Sequence, residues 1–118
     1  SGGALAIGMG DKILMLQYAT YSVISPEGCA SILWKSAEAA SEAANAMHIT
    51  AENLLELKVI DRIIEEPLGG AHRDFKKVAR SLKESIADAF EELRSIDKGE
   101  LVAQRRRRFS AIGEYTEA

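Results

Sequence analysis

A chain of 118 residues has the length for one domain with a sizeable core, and its net charge of −3 and pI near 5.4 argue against nucleic acid or an anionic membrane as its partner. The single cysteine, Cys29, excludes an internal disulfide framework and a cysteine-based zinc site. No basic segment with a long apolar run behind it opens the sequence, and no stretch reaches the roughly 18 apolar residues of a membrane span, so a soluble cytoplasmic protein is expected.

Charge is spread unevenly. Only Asp11, Lys12 and Glu27 are charged within residues 1–34, against 15 basic and 18 acidic side chains in the whole chain. The front third therefore reads as core, and the rest as amphipathic helices with wet faces. A sequence that opens on its most buried part is expected to lack an upstream half or to share that part with a partner.

The first element is a short small-residue helix behind Gly2-Gly3. Paired glycines allow close backbone approach, and helix N-terminal N–H groups left pointing outward suit an anion or a developing oxyanion. The pair alone favours a tight turn and close packing, and it matches neither the dinucleotide fingerprint nor a P-loop. Asp11-Lys12 makes a turn, and the apolar run Ile13 to Leu16 predicts a strand buried on both faces. Tyr21 to Ile24 alternates and is β-branched, which predicts a second short strand. Ser25 then caps a helix, with Pro26 at its first position and Glu27 beside its positive end. From Gly28 to Leu33 that helix carries no charge, so it must be buried or pressed against a partner or ligand. Cys29, among Gly28, Ala30 and Ser31, reads as a packed small hydrophobe rather than a nucleophile.

After Trp34 the texture changes. Ser36 caps an Ala/Glu helix to about Met47, and Thr50 caps Ala51 to Leu57. His48 lies between them with no second metal ligand and reads as a surface or capping residue. Val59 to Ile64 predicts a strand. Glu65 to Arg73 is a loop rich in Pro and Gly, of the kind that places side chains, although His72 has no evident catalytic partner. Asp74 caps the longest element, Phe75 to about Arg94, whose apolar residues recur at three/four spacing. Asp97 and Glu100 resemble a capping box and start a last helix to about Ile112. The run Arg105 to Arg108 invites a nucleic-acid reading, but the acidic chain and the lack of interleaved aromatics favour a solvated or protein-contacting helix end.

No paired carboxylates, Ser/His/Asp set or ligand cluster can be assembled. Any catalytic contribution must come from backbone donors or a share of an interface, and Gly2-Gly3 is the one candidate. Three segments now gain weight together: Ser1-Gly2-Gly3-Ala4-Leu5-Ala6-Ile7-Gly8, Tyr21 to Lys35 with its Ser25-Pro26-Glu27-Gly28, and Glu66-Pro67-Leu68-Gly69-Gly70-Ala71-His72-Arg73. In order and spacing they resemble the carboxyltransferase alpha-subunit family of bacterial-type acetyl-CoA carboxylase, from Ser1 to about Gly113. The last residues, Glu114 to Ala118, and the arginine run match less well.

The resemblance implies the C-terminal part of a longer subunit with an α/β, crotonase-like fold, a superhelix of β-β-α turns. Residues 1–73 would be part of the carboxyltransferase core and residues 74–118 a C-terminal helical region. It implies a beta-subunit partner in an α2β2 complex and transfer of a carboxyl group to acetyl-CoA, giving malonyl-CoA for fatty-acid synthesis. Carboxybiotin on the biotin carboxyl carrier protein would be the cosubstrate. No cofactor would be bound by this chain itself, and zinc would belong to the beta subunit. Gly2 and Gly3 would form the oxyanion hole for the biotin ureido oxygen, with Ser25, Pro26, Glu27 and Gly28 near the biotin pocket. The isolated chain would be inactive. The alternatives are a non-catalytic helical assembly fragment of such a subunit and, more weakly supported, nucleic-acid binding through Arg105 to Arg108.

Overall fold

The computed structural model describes residues 1–113 and 115–117; Glu114 and Ala118, within the expected helical region, lie outside the described residues. Helix starts follow local chemistry. Ser1 caps α1 (Gly2–Gly8), and Ser25 caps α2 (Pro26–Leu33), with Pro26 at the position where its missing N–H costs nothing. Ser36 caps a 3-10 turn (Ala37–Ala39) that runs into α3 (Ala40–Met47). Thr50 caps α4 (Ala51–Glu56), Asp74 caps α5 (Phe75–Arg94) and Asp97 caps α6 (Lys98–Ala111). His48 ends α3 in the left-handed conformation (φ 52°), the capping role expected of it.

Among the described residues, two short strands make the sheet. β1 (Leu14–Leu16) and β2 (Arg62–Ile64) pair in parallel, with Met15 opposite Ile63. Parallel pairing demands a long crossover, which α2, α3 and α4 supply. Ile13, Met15, Ala51, Leu54 and Ile60 form the core cluster beside the sheet, with Ala19, Tyr21, Val59 and Ile63 packed against it. The α2–α3 contact is built on small residues: Ala30 and Ala43 are fully buried, which lets the two helices approach closely. The architecture is a helix-rich α/β arrangement around one β-α-β crossover.

Three expectations change. Tyr21 to Ile24 forms no strand: Thr20 makes one antiparallel bridge to Thr50, Tyr21 N donates to Ile49 O (3.2 Å), and the chain then turns as the Ser22 hydroxyl donates to Ile24 O. No further ladder is available, so β propensity there goes unused. The capping box at Asp97 is one-sided: Asp97 accepts from Gly99 N, while Glu100 turns to Arg107 (2.5 Å). Most important, much of the front third is not core within this chain: Ile13 and Met15 are, but the two helices there are largely bare. α1 buries no side chain, and in α2 only Ala30 is buried while Ile32 and Leu33 stand 69% and 68% exposed. The Cα radius of gyration, 16.7 Å, exceeds the roughly 13 to 14 Å of a compact chain this long. Among the described residues, no helix is long and apolar enough to cross a membrane.

Candidate functional site

α1 and its surroundings carry the candidate site. The Ser1 hydroxyl accepts from Ala4 N (3.2 Å), and Ser1 O accepts from Leu5 N. Gly2 and Gly3 are the first two residues of the helix itself, not a turn before it, so their N–H groups have no carbonyl one turn upstream. The packing explanation for these glycines finds no support: a Cβ on Gly2 would meet nothing within 4 Å, and one on Gly3 only the Ser1 hydroxyl at 3.7 Å. Their exposed edge is open to a ligand or another chain.

Ser25-Pro26-Glu27-Gly28 opens α2, and two of its members do local structural work. The Ser25 hydroxyl accepts from Gly28 N (3.1 Å), and a Cβ on Gly28 would lie 2.8 Å from Ile24 Cγ1, so a side chain there would have to push Ile24 aside. Glu27 is exposed, in the first turn where a carboxylate complements the helix dipole. The two helix starts are neighbours: the Ser1 nitrogen, here the terminal ammonium, donates to Val23 O (2.9 Å), and Val23 precedes Ser25 by two residues, at most about 7 Å of chain.

Sequence reasoning overlooked Tyr21 as more than a strand residue. Its hydroxyl donates to Ala4 O in the first turn of α1, and a Cβ on Gly8 would come within 3.0 Å of that hydroxyl. α1 and the Tyr21 segment flank an apolar cleft of about 530 Å³, lined by Leu5, Met9, Val23, Leu54, Val59 and Phe109 among others. The cleft begins one residue past the glycine pair, at Ala4; neither Gly2, Gly3 nor the Ser25–Gly28 turn lines it.

The Glu65 to Arg73 loop is held by Glu66. Its carboxylate accepts from Tyr18 N (2.6 Å) and Ala71 N (2.9 Å), while Gln17 Oε1 accepts from Glu66 N. Gly69 and Gly70 take φ of 91° and 105°, a conformation that L side chains rarely adopt. His72 is exposed.

The arginine run is a fastening. Arg105 grips both oxygens of Asp11 (2.8 and 3.0 Å), and Arg108 reaches Asp61 (2.9 Å), Asp11 O and Val59 O. Asp61 in turn accepts from Ile13 N (2.7 Å) and donates its own N–H to Ile13 O. Hydrogen bonding to Asp11, reinforced by its charge and opposed by desolvation, pushes the Arg105 guanidinium above its ordinary value, so it stays charged at any ordinary pH. Two of the four arginines are thus committed to carboxylates and carbonyls of this chain, which leaves little for a phosphate backbone. Nothing in the local pattern announced either partner; the only signal was an acid, Asp11, isolated in an apolar stretch. Among the described residues no group of three or more His, Cys, Asp or Glu is arranged to hold a metal ion.

The sequence model of the family described as acetyl co-enzyme A carboxylase carboxyltransferase-like matches residues 1–113. The chain belongs to that family. Among its relatives, the acetyl-coenzyme A carboxylase carboxyl transferase subunit alpha of Pasteurella multocida (strain Pm70) is 62% identical over 115 residues, which is 98% of this chain and 35% of the relative. The subunit of the same name from Methylococcus capsulatus (strain ATCC 33009 / NCIMB 11132 / Bath) is 60% identical over 117 residues, covering 99% of this chain and 36% of its own length. That from Aromatoleum aromaticum (strain DSM 19018 / LMG 30748 / EbN1) is 57% identical over 117 residues, with the same coverage. The chain therefore spans little more than a third of the length of these family members.

Proposed function

We propose that this chain is the C-terminal part of an acetyl-CoA carboxylase carboxyltransferase alpha subunit and supplies part of the site that moves a carboxyl group from carboxybiotin to acetyl-CoA. The observation that carries the reading is the family match across Gly2-Gly3, a pair whose backbone edge is open and whose lack of side chains no packing contact in this chain requires. In this reading the Gly2 and Gly3 N–H groups donate to the biotin ureido oxygen as negative charge grows there during departure of the carboxyl group. Fixed donors aimed at developing charge are worth about 2.7–4 kcal/mol each. The freed biotin nitrogen takes the methyl proton of acetyl-CoA, so no side-chain base is needed, in keeping with a chain that offers no paired acids. Ser25 to Gly28, a short chain distance from the α1 start, border the biotin side.

The wider assembly follows from the same reading. Residues 1–73 belong to a crotonase-like α/β core, and residues 74–118 form the helical region. The beta subunit completes an α2β2 complex in the cytoplasm, carries the zinc and holds the acetyl-CoA enolate. The biotin carboxyl carrier protein delivers the carboxyl group, malonyl-CoA leaves for fatty-acid synthesis, and this chain alone is inactive. The test is biotin-dependent decarboxylation of malonyl-CoA by the complete alpha subunit with its beta partner. Gly2→Val is expected to lower turnover by at least about 100-fold with assembly intact; wild-type turnover would overturn the reading.

A second reading, a helical assembly fragment without catalytic atoms, draws on the bare apolar residues Leu5, Ile7, Ile32 and Leu33. It predicts that Gly2→Val abolishes assembly together with activity.

A further inference from the structure

α1 poses a physical problem. A seven-residue helix is too short to hold itself together in water, and this one buries no side chain that would dock it. Within this chain its pose comes from a few directed contacts. At its C-terminal side the chain reaches Asp11, which Arg105 and Arg108 grip through its carboxylate and its carbonyl. At its start, Ser1 N bonds Val23 O. Between these, one side chain from elsewhere in the fold holds the body of the helix: the Tyr21 hydroxyl donates to Ala4 O.

The sequence is arranged around that contact. A Cβ on Gly8 would lie 3.0 Å from the Tyr21 hydroxyl, so glycine at position 8 keeps open the space that the phenol occupies. Tyr21 also packs against the core cluster of Ile13, Met15, Ala51, Leu54 and Ile60. It is a strut with its ring anchored in the core and its hydroxyl on the helix. Tyr21 is half-buried, with its ring against the core, and its hydroxyl finds its partner on α1.

We propose that Tyr21 is a positioning residue for carboxyl transfer: through Ala4 O it sets the pose of α1, and Gly8 is the residue that permits it. This rests on the proposed use of the Gly2 and Gly3 N–H groups, because only a reaction that depends on where α1 sits would feel the loss of one hydroxyl two residues away. Misplacement of a catalytic group by about 1 Å can cost 100-fold in rate.

The experiment uses the complete alpha subunit assembled with its beta partner and compares Tyr21→Phe, Gly8→Ala and Gly2→Val. Tyr21→Phe keeps the ring in the core and removes only the hydroxyl. The expected result is a kcat lower by about 10- to 100-fold, an unchanged KM for acetyl-CoA, an unchanged assembly state, and faster hydrogen exchange confined to residues 4–10. Gly8→Ala, which crowds the hydroxyl, is expected to reproduce the same pattern and carries the test should Tyr21→Phe fail to assemble. Wild-type kcat, or unaltered exchange in residues 4–10, overturns the proposal. An equal loss of exchange protection across the whole subunit also overturns it, because that marks a purely structural residue. Gly2→Val separates the two levels: full turnover in that variant defeats the functional reading itself, whereas an inactive Gly2→Val beside a fully active Tyr21→Phe defeats the strut alone.

Discussion

The two ends of the chain stand in different relation to the fold. The sheet and the C-terminal helices are tied by directed polar contacts: Arg105 on Asp11, Arg108 on Asp61, Lys12 on Glu92 and Arg62 on Asp88. The front, α1 and α2, holds the apolar residues that look most like core in the sequence, yet Leu5, Ile7, Ile32 and Leu33 are all exposed. Low charge in a segment says that it is to be buried; it does not say by whom. In a family whose members are about three times this length, the covering surface need not lie among these residues.

That contrast can be broken at its centre first. Leu54 is buried in the core cluster and also lines the apolar cleft. Leu54→Ala is expected to cost about 2–5 kcal/mol in urea unfolding of the 118-residue chain, the range for truncating a buried leucine. A cost below about 1 kcal/mol would mean that the core around the sheet is no better consolidated than the front.

At the α2–α3 contact, Ala30→Leu inserts three carbons where the structure has no room. An expected loss of about 1–3 kcal/mol, read from the same unfolding curve, reports that contact. No loss would show that α2 is not held on α3 in this chain.

Arg108→Ala strips three acceptors of their donor and leaves Asp61 with only the Ile13 N–H. The expected cost is about 1–3 kcal/mol. Its neighbour Arg106 is exposed, and Arg106→Ala should stay within about 0.5 kcal/mol. Equal effects at the two positions would mean that the run is one solvated charge patch and that the clamp contributes nothing.

The smallest effect is the most telling one. Leu33→Ser is expected to change the stability of this chain by under about 0.5 kcal/mol, because its side chain is already 68% exposed. In the alpha–beta assembly proposed above, the same substitution is expected to lower the melting temperature. A wild-type assembly would place Leu33 on an outer surface there too.

Much of the local architecture was legible. Ser25 with Pro26, Thr50 and Asp74 all cap the helices expected of them, because a cap is written within four residues of sequence. The three/four spacing from Phe75 gave α5, although Val78 is buried while Phe75 and Phe90 remain exposed. Tyr21 to Ile24 misled because alternation predicts a strand only where a neighbouring strand is free to pair. Of the candidate site, the glycine pair and the Ser25–Gly28 turn were visible as motifs. The Tyr21 hydroxyl on Ala4, the Glu66 carboxylate on Tyr18, and the Arg105 bridge to Asp11 were not, since no local pattern encodes a partner 17 to 94 residues away.

The sequence by itself determined where most of the helices begin, which strand runs are apolar, and the family to which the chain belongs, because each is carried by short-range chemistry or by motif order. Only the tertiary structure decided that β1 and β2 pair in parallel, that Arg105 and Arg108 turn inward to Asp11 and Asp61, and that Gly2 and Gly3 have open space beside them within this chain. Those outcomes depend on which surfaces meet after the chain has crossed the sheet, and burial is a property of that meeting rather than of any one segment.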